Sequence, residues 1–208
     1  MRKTILKNKD INIRDPFILF EDGKYYMYGT RARFFGIKVG GFDVYTSTDL
    51  ENWSKPHECF NSKKYRMNTA ANWAPEVHKY NGKFYMFASF KSADRNRGTQ
   101  ILVSDTPDGK FTPITEYPVT PEEWMALDGT LYISKEGKPY IVFCHEHTQI
   151  IDGTICYRRL SEDLSEGIGE ATVLFNAASV EGVDPVMGDH YVTDGPFFRK
   201  GKNGKLYM

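Results

Sequence analysis

The chain has 208 residues, enough for one good-sized core or two small ones. Lys+Arg and Asp+Glu both number 27, so the formal net charge is zero, and neither a basic excess for nucleic acid nor a basic face for a membrane surface is present. No stretch approaches the roughly 18 apolar residues of a membrane-spanning helix.

Four segments along the chain can be laid over one another. They are DPFILFEDGKYYMYGT from Asp15, APEVHKYNGKFYMFAS from Ala74, DGTLYISKEGKPYIVFCH from Asp128 and DGPFFRKGKNGKLYM from Asp194. Each opens on a small or acidic residue followed by Pro or Gly. An apolar, β-rich run follows, then a turn carrying Gly23-Lys24, Gly82-Lys83, Gly137-Lys138 or Gly204-Lys205, then a second aromatic-rich run. Short β-rich runs around glycine turns predict hairpins. Three of the hairpins are followed by a second predicted strand pair, over 40–55, 98–113 and 152–175. The unit is therefore four antiparallel strands, with units starting near residues 15, 74, 128 and 194. No amphipathic helix of three turns competes with this reading.

Four-stranded units repeated radially are the blades of a β-propeller. The fold class is all-β, and residues 1–208 read as one incomplete propeller domain of about three and a half blades. With roughly 60 residues per blade and five blades, the complete protein is expected to be about half as long again.

The innermost strands of all blades surround one axis, so the first residue of each unit points at the mouth of one channel. Asp15, Asp128 and Asp194 hold that place in three units, and Ala74 holds it in the second. A lone acidic residue before Pro or Gly is a turn former. Three at one repeat position point to a shared pocket. Several carboxylates around one pocket suit glycosidic bond hydrolysis, which needs a protonated acid at the leaving oxygen and an ionised carboxylate elsewhere. Like charges held close raise one pKa and keep that group protonated near neutral pH.

The second strand of each hairpin returns to the same end of the blade. This sets Thr30 near Asp15, Ser89 near Ala74 and His145 near Asp128, with Arg31, Phe90 and Glu146 alongside. Ser89, His145, Glu146 and Arg31 are candidates for binding sugar hydroxyls or tuning a pKa. Trp73 faces the channel mouth, where stacking on a sugar ring and packing between blades are both open to it. Glu76 lies two residues past the channel position on the same strand face. Trp124 stands just upstream of Asp128, at the expected rim. His145 and His147 are spaced to share a strand face, but two histidines without a third ligand do not make a metal site, and none is assigned.

Arg14-Asp15-Pro16, the NWAPEV run at 72–77, the LDGTLY run at 127–132 and the DGPF run at 194–197 together resemble glycoside hydrolase family 43. The resemblance runs from residue 13 through almost the whole chain. It implies a five-bladed propeller and an inverting enzyme acting mainly on α-L-arabinofuranosides and β-D-xylosides. By matching position it makes Asp15 the general base and Asp128 the residue that orients the acid and tunes its pKa. Asp194 stands where the acid belongs. The family usually has Glu-Gly-Pro there, whereas this chain has Asp194-Gly195-Pro196. The shorter side chain sets the carboxyl back by about 1.5 Å, and an ångström of misplacement can cost on the order of a hundredfold in rate. Either the pocket is built around the shorter acid, or Glu146 supplies the proton, or activity is weak. The resemblance also implies a substrate-contacting Arg and a His near a central ion, commonly calcium, from later blades.

The sequence thus predicts a glycosidase releasing terminal α-L-arabinofuranosyl or β-D-xylosyl residues from oligosaccharides or polysaccharides. No nucleic acid or membrane partner and no cofactor for the chemistry is expected; a structural calcium ion belongs to the complete protein's channel. The rivals are a catalytically inactive carbohydrate-binding propeller and a retaining, fructosidase-like enzyme on a related five-bladed fold. The basic start MRKTILKNKD leads into no apolar leader run. The three cysteines, Cys59, Cys144 and Cys156, make no disulfide framework. A cytoplasmic setting with reduced, buried thiols is expected, or a secreted one if a leader has been removed.

Overall fold

Tight glycine turns set the register of the first two hairpins. Asp22-Gly23 and Asn81-Gly82 hold both central residues at positive φ, 47° and 77° in one and 47° and 78° in the other. That is the type I′ geometry whose twist matches paired strands, and Asp-Gly and Asn-Gly are the pairs that adopt it most readily. The computed structural model describes residues 5–31, 40–65 and 72–208.

The first sheet contains β1 (Ile5–Lys7), β2 (Arg14–Glu21), β3 (Lys24–Thr30), β4 (Phe42–Ser47), β5 (Asn52–Ser54) and β6 (His57–Phe60). Its order is β1-β5-β4-β3-β2, with β6 also paired to β4. The second holds β7 (Trp73–Tyr80), β8 (Lys83–Phe90), β9 (Gly98–Ser104) and β10 (Thr112–Pro113). The third holds β11 (Ala126–Ile133), β12 (Pro139–His145), β13 (Thr154–Leu160) and β14 (Gly167–Asn176). A short hairpin, β15 (Arg199–Lys200) and β16 (Leu206–Tyr207), follows. Each named strand pairs antiparallel with its neighbours.

These are blades of a β-propeller, in the order predicted. Three details differ. The first sheet has six strands rather than four, because β6 also pairs with β4 and β1 adds to the outer edge at β5, with Leu6 opposite Trp53. The Trp53 indole N–H donates to Asn8 Oδ1 at 2.7 Å, tying that addition down. Between β12 and β13 lies a one-turn helix, α1 (His147–Ile150). In the last unit, strand pairing begins only at Arg199, so Asp194 sits in irregular chain rather than at the head of a strand.

The apolar core lies between blades. Tyr28, Phe42, Val44 and Phe60 of the first blade pack on Val77, Phe84, Met86 and Phe90 of the second. Phe87 and Ile101 pack on Ile141 and Phe143 of the third. Leu127, Val142, Cys144 and Ile155 pack toward Phe198. Alternate side chains of each strand serve opposite faces, so one blade feeds two such layers. Cys59, Cys144 and Cys156 are all buried and free.

Candidate active site

The innermost strands share one irregularity. Pairing slips between Arg14 and Phe17 in β2, between Trp73 and Glu76 in β7, and between Leu127 and Thr130 in β11. At each slip the repeat residue takes a left-handed backbone: Asp15 at φ +50°, Ala74 at +43° and Asp128 at +53°. Such angles are uncommon for residues other than glycine and cluster at functional sites. A bulge re-aims a side chain and leaves a backbone group outside the ladder. Pro16 and Pro75 suit the next position, having no N–H to leave unpaired. Gly129 suits the third bulge because its N–H donates to Thr99 Oγ1 at 3.1 Å and an added Cβ would meet Ile141 at 2.5 Å.

Asp194 arrives differently. It has no left-handed backbone and no strand pairing, and its Oδ1 accepts from the Gly195 N–H at 2.8 Å. The equivalence of Asp194 to the other two aspartates is therefore one of place, not of local geometry. A Cβ on Gly195 would stand 3.1 Å from Asp128 Cβ, so glycine lets this segment close over Asp128.

One open cleft of about 620 Å3 is lined by Asp15, Ala74, Glu76, Asp128 and Asp194, with Phe17, Ile18 and Phe197 as its apolar wall. Asp15 and Asp194 are exposed and Asp128 is half-buried. Thr30 Oγ1 donates to Asp15 Oδ2 at 2.8 Å and accepts from the Ala74 N–H at 2.8 Å. Ser89 Oγ donates to Asp128 Oδ1 at 3.0 Å and accepts from the Asp128 N–H at 2.8 Å. Burial, then the Asp194 carboxylate, push Asp128 up to about 8; the Ser89 hydroxyl pulls the other way and Asp15 adds to the rise. The Asp194 carboxyl lines the same cleft beside Asp128. The site thus combines a proton-holding acid with an exposed carboxylate fixed by a hydroxyl, the pairing that acid–base cleavage of an acetal needs.

The remaining predicted residues lie around or behind this cleft. Ser89 is one hydrogen bond behind Asp128. Arg31 is drawn into its own blade, where Nε and Nη2 reach Asp43 at 2.9 and 2.6 Å and Nη2 reaches Glu58 at 3.1 Å. Trp73 has the Arg97 guanidinium carbon 3.3 Å from its ring centre, which covers one face. His145 stacks on Trp124 with centroids 4.3 Å apart and bonds Gln149 at 2.6 Å. Glu146 precedes α1, its N–H donating to Met125 O at 2.8 Å. His145 and His147 do not share a strand face, because β12 ends at His145 and α1 begins at His147, which instead meets His190 at 3.2 Å.

Three neighbours of the cleft were not singled out from sequence. His78, on the strand face of Glu76, lies 3.1 Å from Glu76 and 3.4 Å from Thr130; the period-two spacing after Glu76 is a signal that could have found it. Arg97 is buried among Trp73, Glu146 and Asp128, and burial lowers it to about 10 against the pull of both carboxylates. Nothing local in sequence marks it, since its place depends on how the β8–β9 connection packs. The third is Cys144, opposite Leu127 at the end of β12. Among the described residues, no three His, Cys, Asp or Glu side chains come together to hold a metal. Among them, too, no helix is long and apolar enough to cross a membrane.

A propeller with carboxylates gathered at its channel mouth defines a carbohydrate-cleaving scaffold in general terms. The chain belongs to glycosyl hydrolases family 43, which it matches over residues 9–208. It is similar to an endo-arabinase from Bacteroides thetaiotaomicron VPI-5482, 37% identical with a TM-score of 0.85, over 99% of this chain and 72% of that one. A thermostable family-43 glycoside hydrolase is 27% identical with a TM-score of 0.76, over 91% of this chain and 61% of that one. The extracellular endo-α-(1→5)-L-arabinanase 1 of Bacillus subtilis (strain 168) is 26% identical over 141 residues, 63% of this chain. The chain spans 42% of that relative's length.

Proposed function

We propose that the full-length protein is an inverting glycoside hydrolase acting on α-(1→5)-linked L-arabinofuranosyl chains. The observation that carries the reading is the convergence of Asp15, Asp128 and Asp194 on one cleft. Asp15, held by Thr30, takes a proton from water as the water oxygen attacks the anomeric carbon. The proton held by Asp128 reaches the leaving oxygen through the neighbouring Asp194 as the glycosidic C–O bond breaks. The new hemiacetal hydroxyl comes from water and the leaving sugar departs as an alcohol. Asp128, more buried and tied to Ser89, stores the proton, and the exposed Asp194 presents it. Glu76 and the wall of Phe17, Ile18 and Phe197 contact the sugars.

Arabinan is favoured over xylan because two of the relatives above are described as arabinan-degrading. Internal cleavage is favoured over the terminal release expected from sequence because both of those relatives are described as endo-acting. The test is release of reducing ends from linear arabinan, with xylan alongside, by wild type and Asp15→Asn. The reading expects turnover of arabinan by wild type and none by the folded Asn variant. Arabinan bound but never cut would favour the carbohydrate-binding propeller.

A further inference from the structure

Asp194 hangs between two anchors. Downstream, Phe198 packs on Tyr132 and Phe197 meets Phe17 edge-on, with ring centres 5.3 and 6.2 Å apart, and strand pairing resumes at Arg199. Upstream, residues 190–193 lie along the stretch that runs from α1 to the head of β13, and the two backbones are laced together. The Tyr191 N–H donates to Ile151 O at 3.0 Å, and the Gly153 N–H donates to Tyr191 O at 2.8 Å. Thr193 Oγ1 donates to Thr154 O at 3.3 Å. This lacing ends one residue before Asp194.

Three features hold the seam closed. At its outer end, His147 of α1 and His190 meet through their Nδ1 atoms at 3.2 Å, with the rings perpendicular. One nitrogen donates its N–H and the other accepts, so the clasp needs one imidazole that is neutral. A turn closed by Val186 N–H on His190 O at 2.9 Å and by His190 N–H on Met187 O at 3.1 Å presents His190 to α1. At the inner end, Gly153 lets the two chains touch. A Cβ there would stand 2.8 Å from Thr193 N and Oγ1 and 3.0 Å from Tyr191 O. Between these ends, Ile151 takes φ +68°, a costly angle for a β-branched residue, and its carbonyl is the one that receives the Tyr191 N–H. Such strain persists only where the surroundings impose it.

Resting on the reading of Asp194 as the group that delivers the proton, we propose that this seam positions Asp194, and that His147, His190 and Gly153 are positioning residues for proton delivery. None of the three is among the residues lining the cleft; each acts through the backbone of 191–193. Asp15 and Asp128 are aimed by bulges in paired strands, which Asp194 lacks. The seam does for Asp194 what the bulge does for the other two.

The test takes two measurements on the full-length protein. The first is amide hydrogen exchange over residues 191–195. Gly153 has no left-handed backbone, so Gly153→Ala acts only as a wedge in the seam, and it is expected to speed exchange there by about tenfold while β7 and β8 stay as in wild type. His190→Ala, a milder variant, is expected to act in the same direction. His190→Asn, whose side-chain amide reaches the place of Nδ1, is expected to restore slow exchange. The second measurement is kcat on linear arabino-oligosaccharides and on a 4-nitrophenyl arabinotrioside, whose leaving group needs little protonation. A displaced acid slows the first substrate and spares the second. Gly153→Ala is expected to lower kcat on the oligosaccharides by about tenfold, with KM and the nitrophenyl rate changing by less than about twofold. Unchanged exchange at 191–195 in the Gly153 and His190 variants, or equal losses on both substrates, overturns the proposal, and an Asn variant no better than Ala overturns the clasp. Should wild type cut neither substrate, faster exchange in Gly153→Ala leaves the seam's hold on Asp194 standing and removes the hydrolase reading alone.

Discussion

Ser89 and Asp128 are joined twice across the boundary of two blades, by the Asp128 N–H donating to Ser89 Oγ at 2.8 Å and by that oxygen donating to Asp128 Oδ1 at 3.0 Å. One hydroxyl therefore holds a strained backbone and tunes the carboxyl it carries. Ser89→Ala is expected to cost about 1–3 kcal/mol in chemical denaturation, because it strips a partner from a shielded N–H. It should also move the Asp128 titration upward, since the bond it loses favours the charged form. A downward movement would contradict this account of the pair.

The raised pKa of Asp128 has a consequence for folding. A carboxyl higher in the folded than in the unfolded state contributes stability that is fully present below its unfolded pKa of about 3.9. That contribution is lost as pH rises through the folded value, about 8. Asp128→Asn carries an uncharged isostere at every pH. The melting temperature of the Asn variant minus that of wild type should therefore rise between about pH 4 and pH 8 and level off above. A difference that is flat or falls across this window would show that Asp128 is not the proton holder.

Much of this was legible in the sequence. The hairpins were, because Asp22-Gly23 and Asn81-Gly82 leave the chain few alternatives to a tight turn. The meeting of Asp15 with Asp128 was, because a radial repeat brings equivalent positions to one axis. What was not legible depends on packing between segments. Asp194-Gly195-Pro196 reads like a repeat opening, yet its strand pairing starts at Arg199 and its backbone differs from that of Asp15. Arg31 stands beside the channel position, yet Asp43 and Glu58 of its own blade capture it.

Arg31 is accordingly a residue of blade architecture. Arg31→Ala leaves Asp43 and Glu58 without this guanidinium and is expected to cost about 2 kcal/mol of stability, in the range of hydrogen bonds to charged groups. KM for arabinan should stay near the wild-type value. A large rise in KM with unchanged stability would return Arg31 to the sugar-binding surface.

Gly195→Ala tests how closely the acid segment must sit. The added methyl would lie 3.1 Å from Asp128 Cβ, so one of the two must give by a few tenths of an ångström. The expected result is a fall in kcat of about three- to tenfold, with a smaller change in KM, since displacement acts on proton delivery. Asp194→Glu probes the same clearance from the other side. It is expected to lower activity, because the extra methylene crowds a pocket built for the shorter acid.

The central claim is that Asp15 and the Asp128–Asp194 pair form one inverting site. Its most direct measurement is 1H NMR of the first minutes of arabinan hydrolysis by the full-length enzyme, following the anomeric proton of the new reducing end. Direct attack by water on an α-linked sugar predicts that the β-anomer appears first and then mutarotates. Initial appearance of the α-anomer would mean a covalent intermediate and two displacements, and would contradict the account.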